Sequence, residues 1–162
     1  MKTFLRKRNR LAEYDYSQDG AYFITLCTQD KKLILGNVVA ADALGRHKCE
    51  LTELGELTRQ TILTQNKNGI RIESFVIMPN HIHMIIVIDD QTQWRPRASA
   101  ATVGQIVSNI KSFTTKQYGS IIWQKSFHDR VIRHQQEFET IWHYIDTNPD
   151  TWKQDMFYSA QL

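Results

Sequence analysis

The chain has 162 residues, 41% hydrophobic and 23% charged, a balance that fits one ordinary globular domain and argues against a disordered or fibrous chain. No apolar run approaches the ~18 residues of a membrane span, the basic N-terminus lacks the apolar segment of a signal peptide, and Cys27 and Cys49 are too few for a disulfide framework, so the expectation is a single domain over residues 1–162 in a reducing cytoplasm. The net charge of +3 is segregated: residues 1–12 carry +5, residues 13–90 carry −4, residues 91–136 carry +6 and the remainder −4. Two basic segments on a weakly acidic body suggest a polyanion partner such as nucleic acid, against the plainer reading of solvated surface.

In chain order, residues 1–12 form a basic arm with Arg6, Lys7, Arg8 and Arg10. Asp19-Gly20 signals a turn. Ala21 to Thr28, rich in β-branched and aromatic residues, reads as a strand. Residues 30–45 read as a hairpin-like excursion. Thr52 is placed to cap a helix running to about Lys67, with Leu54, Leu57, Ile62 and Leu63 inward and Asn68-Gly69 as its stop; Gly55 weakens that helix. Ile70 to Met78 is a strand, Pro79-Asn80 breaks it, and a second strand follows at once. Residues 89–100, with Trp94, Arg95 and Arg97, form a polar loop. A helix from about Thr102 to Tyr118 carries Val103, Ile106, Val107, Ile110 and Phe113 on one stripe and ends at Gly119. Ile121 to Arg133 reads as a last strand segment. Gln135 to about Asn148 is the final helix, stopped by Pro149. The order β-α-β-β-α-β-α predicts an α+β sandwich of ferredoxin type, an antiparallel sheet with helices packed on it.

The chemistry concentrates in the strand after Pro79-Asn80. Alternation puts His81, His83, Ile85 and Val87 on one face, with Ile82, Met84, Ile86 and Ile88 on the other. A strand apolar on both faces is a central one. Two imidazoles there must be hydrogen-bonded or bound to something, and side by side they make half of a metal site. A pair of satisfied structural histidines is the competing reading. On the final helix Phe138, Ile141, Trp142 and Ile145 form the buried stripe, with Tyr144 at its border and Asn148 one turn later on the same side. His143 is rotated about 100° away. If this helix packs on the histidine face, Tyr144 brings a phenol to the cation and the Asn148 amide oxygen offers a third ligand. Such a set suits Mg²⁺ or Mn²⁺.

Met78-Pro79-Asn80-His81-Ile82-His83 resembles the His-hydrophobic-His motif of the HUH single-strand DNA transposases, the insertion-sequence-type tyrosine transposases. Tyr144-Ile145-Asp146-Thr147-Asn148-Pro149 resembles the catalytic-tyrosine helix of their REP-associated branch. The segments Asn9-Arg10-Leu11, Tyr14-Asp15-Tyr16, Tyr22-Phe23-Ile24-Thr25, Trp123-Gln124, Phe127-His128-Asp129 and Ile132-Arg133, with Trp152 and Asp155 after Pro149, extend the likeness over most of the chain. Residues 30–50 do not share in it. The resemblance implies that His81, His83 and Asn148 bind a divalent ion, and that Tyr144 is the nucleophile forming a 5′-phosphotyrosyl link in single-stranded or hairpin DNA. Arg6, Lys7, Arg8, Arg10, Arg95, Arg97, Lys111, Arg130 and Arg133 are then candidates to hold phosphates, although Arg130 and Arg133 could pair with Glu137 or Asp129 instead. Trp94 and Phe127 are candidates to stack on unpaired bases, and His128 and His134 to assist at the phosphate, in each case against ordinary packing. A metal phosphodiesterase using water and a catalytically idle hairpin binder are the alternatives. The implied protein is cytoplasmic, nucleoid-associated and a monomer, with a homodimer as the other option.

Overall fold

The computed structural model describes residues 20–67, 69–89 and 103–160. Strands β1 (Gly20–Cys27), β2 (Gly36–Val39), β3 (Lys48–Leu51), β4 (Ile70–Met78), β5 (His81–Ile88) and β6 (His128–Ile132) are interspersed with helices α1 (Glu53–Leu63), α2 (Val103–Tyr118) and α3 (Gln135–Asp146). Four strands form one sheet in the order β4-β5-β1-β6, while β2 and β3 pair as a separate hairpin. All pairings in the larger sheet are antiparallel. The β1-α1-β4 and β5-α2-β6 crossovers give the expected ferredoxin-like sandwich. The hairpin is the excursion expected near residues 30–45, extended to Leu51.

The β5 alternation divides the interior as predicted. Ile82, Met84, Ile86 and Ile88 join Tyr22, Ile24 and Leu26 beneath α1 and α2, in a cluster with Leu54, Ile62, Ile106 and Ile110. Ile85 and Val87 face the other way, against Ile141, Ile145 and Phe138 of α3. Burying one such aliphatic side chain contributes about 1.5–3 kcal/mol, so the α1/α2 face, with many more of them, supplies most of the apolar stabilisation. The α3 face is left thin enough to hold polar groups.

Thr52 caps α1 as expected, its hydroxyl accepting from Gly55 N at 3.1 Å. The helix stops at Leu63, short of Lys67, because Thr64 and Gln65 turn their side chains onto the Thr61 carbonyl at 2.7 and 3.2 Å and compete with the backbone ladder. Leu63 is consequently 40% exposed, not inward. On α2 the stripe holds for its first four members, but Phe113 is exposed and Thr114 is buried in its place. The Thr114 hydroxyl accepts from Trp123 Nε1 at 2.8 Å, which anchors a residue predicted to lie in a strand. Residues 121–127 pair with the chain after β1 through an isolated Thr28–Trp123 bridge instead of forming a strand, and β6 begins at His128. Gly119 ends α2 with a left-handed φ of 82°. On α3, Trp142 is 40% exposed and leans on Phe138 instead of joining the buried stripe. Asn68 and Thr102 lie outside the described residues.

Gly55 strengthens α1's packing instead of weakening the helix. A Cβ built there would lie 1.9 Å from the Leu35 carbonyl oxygen, so the absent side chain is what lets the helix touch the strand-side backbone. Gly55→Ala, which raises helix propensity by about 0.5–1 kcal/mol elsewhere, is expected to lower stability here by about 1–3 kcal/mol through overpacking. Urea unfolding followed by circular dichroism checks the sign.

Candidate active site

The site lies on the α3 face of the sheet, at the end where β4 turns into β5. Register places Val76, His83, Thr25 and His128 in one cross-strand row over four strands. His81 is fully buried and His83 is 2% exposed, with ring centroids 4.6 Å apart. The Thr25 hydroxyl sits 2.8 Å from His83 Nδ1, and Phe23 stacks on the His83 ring at 5.2 Å. His81 Nδ1 lies 2.9 Å from the Asn80 side-chain oxygen.

From α3, Tyr144 projects its hydroxyl to 3.2 Å from His83 Nε2. The phenol and the imidazoles, more than sixty positions apart in sequence, thus meet as expected. The helix ends at Asp146, two residues before Asn148. Asn148 belongs to the following turn and is fully buried. Its amide nitrogen donates to Asp155 Oδ2 at 2.8 Å.

After that turn the chain folds back over the histidines. A 3-10 turn at Trp152–Gln154 is followed by Asp155, whose Oδ1 accepts from Phe157 N at 2.7 Å, a local carboxylate turn. The Phe157 ring covers both imidazoles, 4.7 Å from His81 and 5.8 Å from His83. Asp155, whose side chain is 1% exposed, turns Oδ2 to 3.8 Å from His81 Nε2 and 3.4 Å from the Tyr144 hydroxyl. His81, His83 and Asp155 each offer a ligand atom, all within 4.8 Å of one another.

The charge states follow from burial. Desolvation pushes His81 down to about 4, against the opposing pull of the Asp155 carboxylate and the Asn148 side chain. It holds His83 well below the ordinary histidine value, with His81 adding to the effect. Both rings are therefore neutral at physiological pH, the state that binds metal. Burial, then the Asp155 charge and the hydrogen bond the phenol gives it, push Tyr144 up to about 12.

The residues present fit a cation. His81 Nε2 and Asn148 Oδ1 are buried without a hydrogen-bond partner. Leaving such groups unsatisfied costs about 1–3 kcal/mol each, and a nitrogen lone pair, an amide oxygen and a carboxylate oxygen together ask for a positive charge. Two imidazoles with oxygen donors are a set that Mg²⁺ or Mn²⁺ accepts.

The structure separates the remaining candidates. Arg6, Lys7, Arg8, Arg10, Trp94, Arg95 and Arg97 lie outside the described residues. Lys111 donates to the carbonyls of Gln124 and Ser126 at 2.8 and 3.0 Å, a strut between α2 and the loop before β6. Arg130 pairs with Glu137 at 2.5 Å and stays largely exposed. Arg133, exposed, donates its backbone N–H to Glu137 at 3.0 Å. Phe127 is 9% exposed within the main core, which removes it as a stacking surface. His134 serves as the N-cap of α3, accepting from Glu137 N at 3.2 Å. His128 is exposed on the histidine row.

Asp155 and Phe157 are the site residues that reading the sequence missed. Asp155 figures in the sequence only as part of the family likeness, and nothing in the spacing of the Trp152 to Tyr158 segment points to the histidines.

No family model matches the chain. An uncharacterised protein of Haemophilus influenzae is 31% identical over 173 aligned positions, covering 94% of this chain and 93% of that protein, and the chain belongs to its family. Among solved structures, a REP-associated tyrosine transposase bound to a REP hairpin superposes with a TM-score of 0.61 at 21% identity, covering 87% of this chain and 74% of that one. The two share a fold.

The depressed histidines make stability depend on pH. Between the ordinary value of 6.5 and about 4 the unfolded chain binds a proton that folded His81 refuses, and His83 acts in the same direction. The stabilisation is complete above 6.5 and is lost as pH falls toward 4, by at most about 1.4 kcal/mol per pH unit per histidine. Urea midpoints of the metal-free protein are expected to be flat above pH 7.5 and to drop below 6.5, and His81→Leu is expected to remove part of that slope.

Proposed function

We propose that this chain, an HUH tyrosine transposase by fold, cleaves and rejoins single-stranded or hairpin DNA through a 5′-phosphotyrosine, with Tyr144 as nucleophile. The observation that carries the reading is the Tyr144 hydroxyl 3.2 Å from His83 Nε2 and 3.4 Å from Asp155 Oδ2, at the edge of a buried set of metal-ligating atoms.

His81 and His83 would hold the ion, with Asn148 Oδ1 as the oxygen donor beside them. When bound, a Mg²⁺ or Mn²⁺ ion polarises and orients the scissile phosphate. The chain's own residues do the rest. Tyr144 is 37% exposed, so DNA can approach the hydroxyl from the open side while the ring stays fixed against Phe23 at 6.2 Å. The Asp155 carboxylate, 3.4 Å from the phenol, is the acceptor for its proton. The tyrosine oxygen forms a bond to phosphorus, the bond to the 3′ oxygen breaks, and that oxygen takes a solvent proton to leave as a 3′-hydroxyl. The phosphodiester energy is conserved in the tyrosyl link, so rejoining needs no nucleotide. A phenol held up at about 12 is almost wholly protonated at neutral pH, so its attack requires that the proton be taken up by a base.

DNA would be held by the basic residues. Arg130, two residues along β6 from His128, and Arg133, just past the other end of that strand, are the described candidates for phosphate contact, and the 1–12 arm with Arg95 and Arg97 supplies the rest. Hairpin recognition is inferred from the REP-hairpin complex of the structural neighbour.

Incubation with single-stranded hairpin oligonucleotides and Mn²⁺ is expected to give a denaturation-resistant protein–DNA adduct on a gel, and Tyr144→Phe is expected to abolish adduct and cleavage while Mn²⁺ binding persists. Normal cleavage by Tyr144→Phe would instead identify water as the nucleophile. Binding without cleavage by the wild type would identify an idle hairpin binder.

A further inference from the structure

The backbone of the two-residue turn between β4 and β5 is tied to neighbouring segments. Pro79 O accepts from Leu35 N at 3.0 Å, and Asn80 O accepts from Thr28 N at 2.9 Å and from the Thr28 hydroxyl at 3.1 Å. Among the described residues, the non-glycine positions with positive φ are Asp30 and Lys31, so Asn80 does not sit in the left-handed conformation for which turns often select asparagine. Yet its side chain is buried at 1% exposure. The reason for an amide there must lie in what the amide touches.

Its nitrogen faces two backbone carbonyls, Phe157 O at 2.9 Å and Lys31 O at 3.4 Å. Carbonyls only accept, so the NH₂ group is fixed on that side. The other atom of the amide, Oδ1, is therefore the one 2.9 Å from His81 Nδ1. An amide oxygen also only accepts, which places the ring proton on Nδ1 and leaves Nε2 as a bare lone pair. That is the His81 atom buried without a partner and turned toward Asp155. His83 is treated differently: its Nδ1 meets the Thr25 hydroxyl, which can donate or accept and so does not fix a tautomer by itself.

We propose that Asn80 is a positioning residue for the candidate metal centre, locking His81 in the Nδ1–H tautomer so that Nε2 is presented as a ligand. The proposal rests on the reading of His81 and His83 as a cation pair. The same amide holds the Phe157 carbonyl, so the orientation of the ligand and the docking of the segment that carries Asp155 share one side chain. Outer partners of metal-bound histidines act in this way generally, and losing one typically costs about 10–100-fold in affinity.

The test uses the full-length protein, its Asn80→Ala and Asn80→Asp variants, long-range ¹⁵N–¹H correlation spectra of the imidazoles without metal, and calorimetric titration with Mn²⁺. Wild type is expected to show His81 with its proton on Nδ1. Asn80→Ala is expected to release it to a tautomer mixture and weaken Mn²⁺ binding by about 10–100-fold. Asn80→Asp keeps an acceptor facing Nδ1 and is expected to retain the wild-type tautomer. A wild-type His81 protonated on Nε2 overturns the proposal, whether or not the variants fold. So does an Asn80→Ala protein that melts earlier but keeps both tautomer and affinity, since that is the behaviour of a merely structural turn residue. If the tautomer responds as expected while wild type takes up no Mn²⁺, the role of Asn80 stands and the cation reading is what fails.

Discussion

Acceptor atoms crowd a buried corner of this protein, and two of them meet no donor. His81 Nε2 and Asn148 Oδ1 are sealed from water without hydrogen bonds, and the Asp155 carboxylate lies 3.8 Å from the former. Uncompensated, these groups cost several kilocalories per mole, a large part of the 5–15 kcal/mol by which a domain is usually stable. Proteins keep such an arrangement where something positive is meant to enter. The depressed histidines and the elevated phenol are two consequences of the same desolvation.

The fold produces this corner by simple means. Placing β5 between β4 and β1 puts the histidine strand inside the sheet, where both faces are covered. Period-two alternation then commits Ile82, Met84 and Ile86 to the apolar side and leaves the histidines opposite α3. The sheet and α3 supply three of the groups, His81, His83 and Tyr144. The turn after α3 adds Asn148, and the returning segment brings Asp155 and the aromatic cover of Phe157. Asp155 binds the parts together, since its Oδ2 accepts from Asn148 and Tyr144 together while its Oδ1 holds the Phe157 backbone.

Much of this was legible in the sequence because it depends on local periodicity. The His-x-His alternation, the capping by Thr52, the α2 stripe and the spacing of Tyr144 and Asn148 are short-range patterns, and they translate directly into faces and ends. What escaped depends on contacts between distant segments. Gly55 looks like a weak point in a helix until the Leu35 carbonyl is found against it. Phe113 fits the apolar stripe, but the helix rolls so that Thr114 can accept from Trp123. Asp155 is one acid among five in an acidic tail, and only the fold-back of that tail gives it a place beside His81. In the sequence Phe127 and His134 are candidates for DNA contact against a stronger reading of ordinary packing, and the structure uses them for packing and capping.

The central claim is that this corner is a cation site built on two imidazoles. Pulsed electron paramagnetic resonance of the protein titrated with Mn²⁺ tests it most directly. The account predicts one tightly held ion per chain, with nitrogen couplings from two histidines that fall to one in His83→Ala. An ion showing only water and oxygen ligands, or couplings unaffected by that substitution, would contradict it.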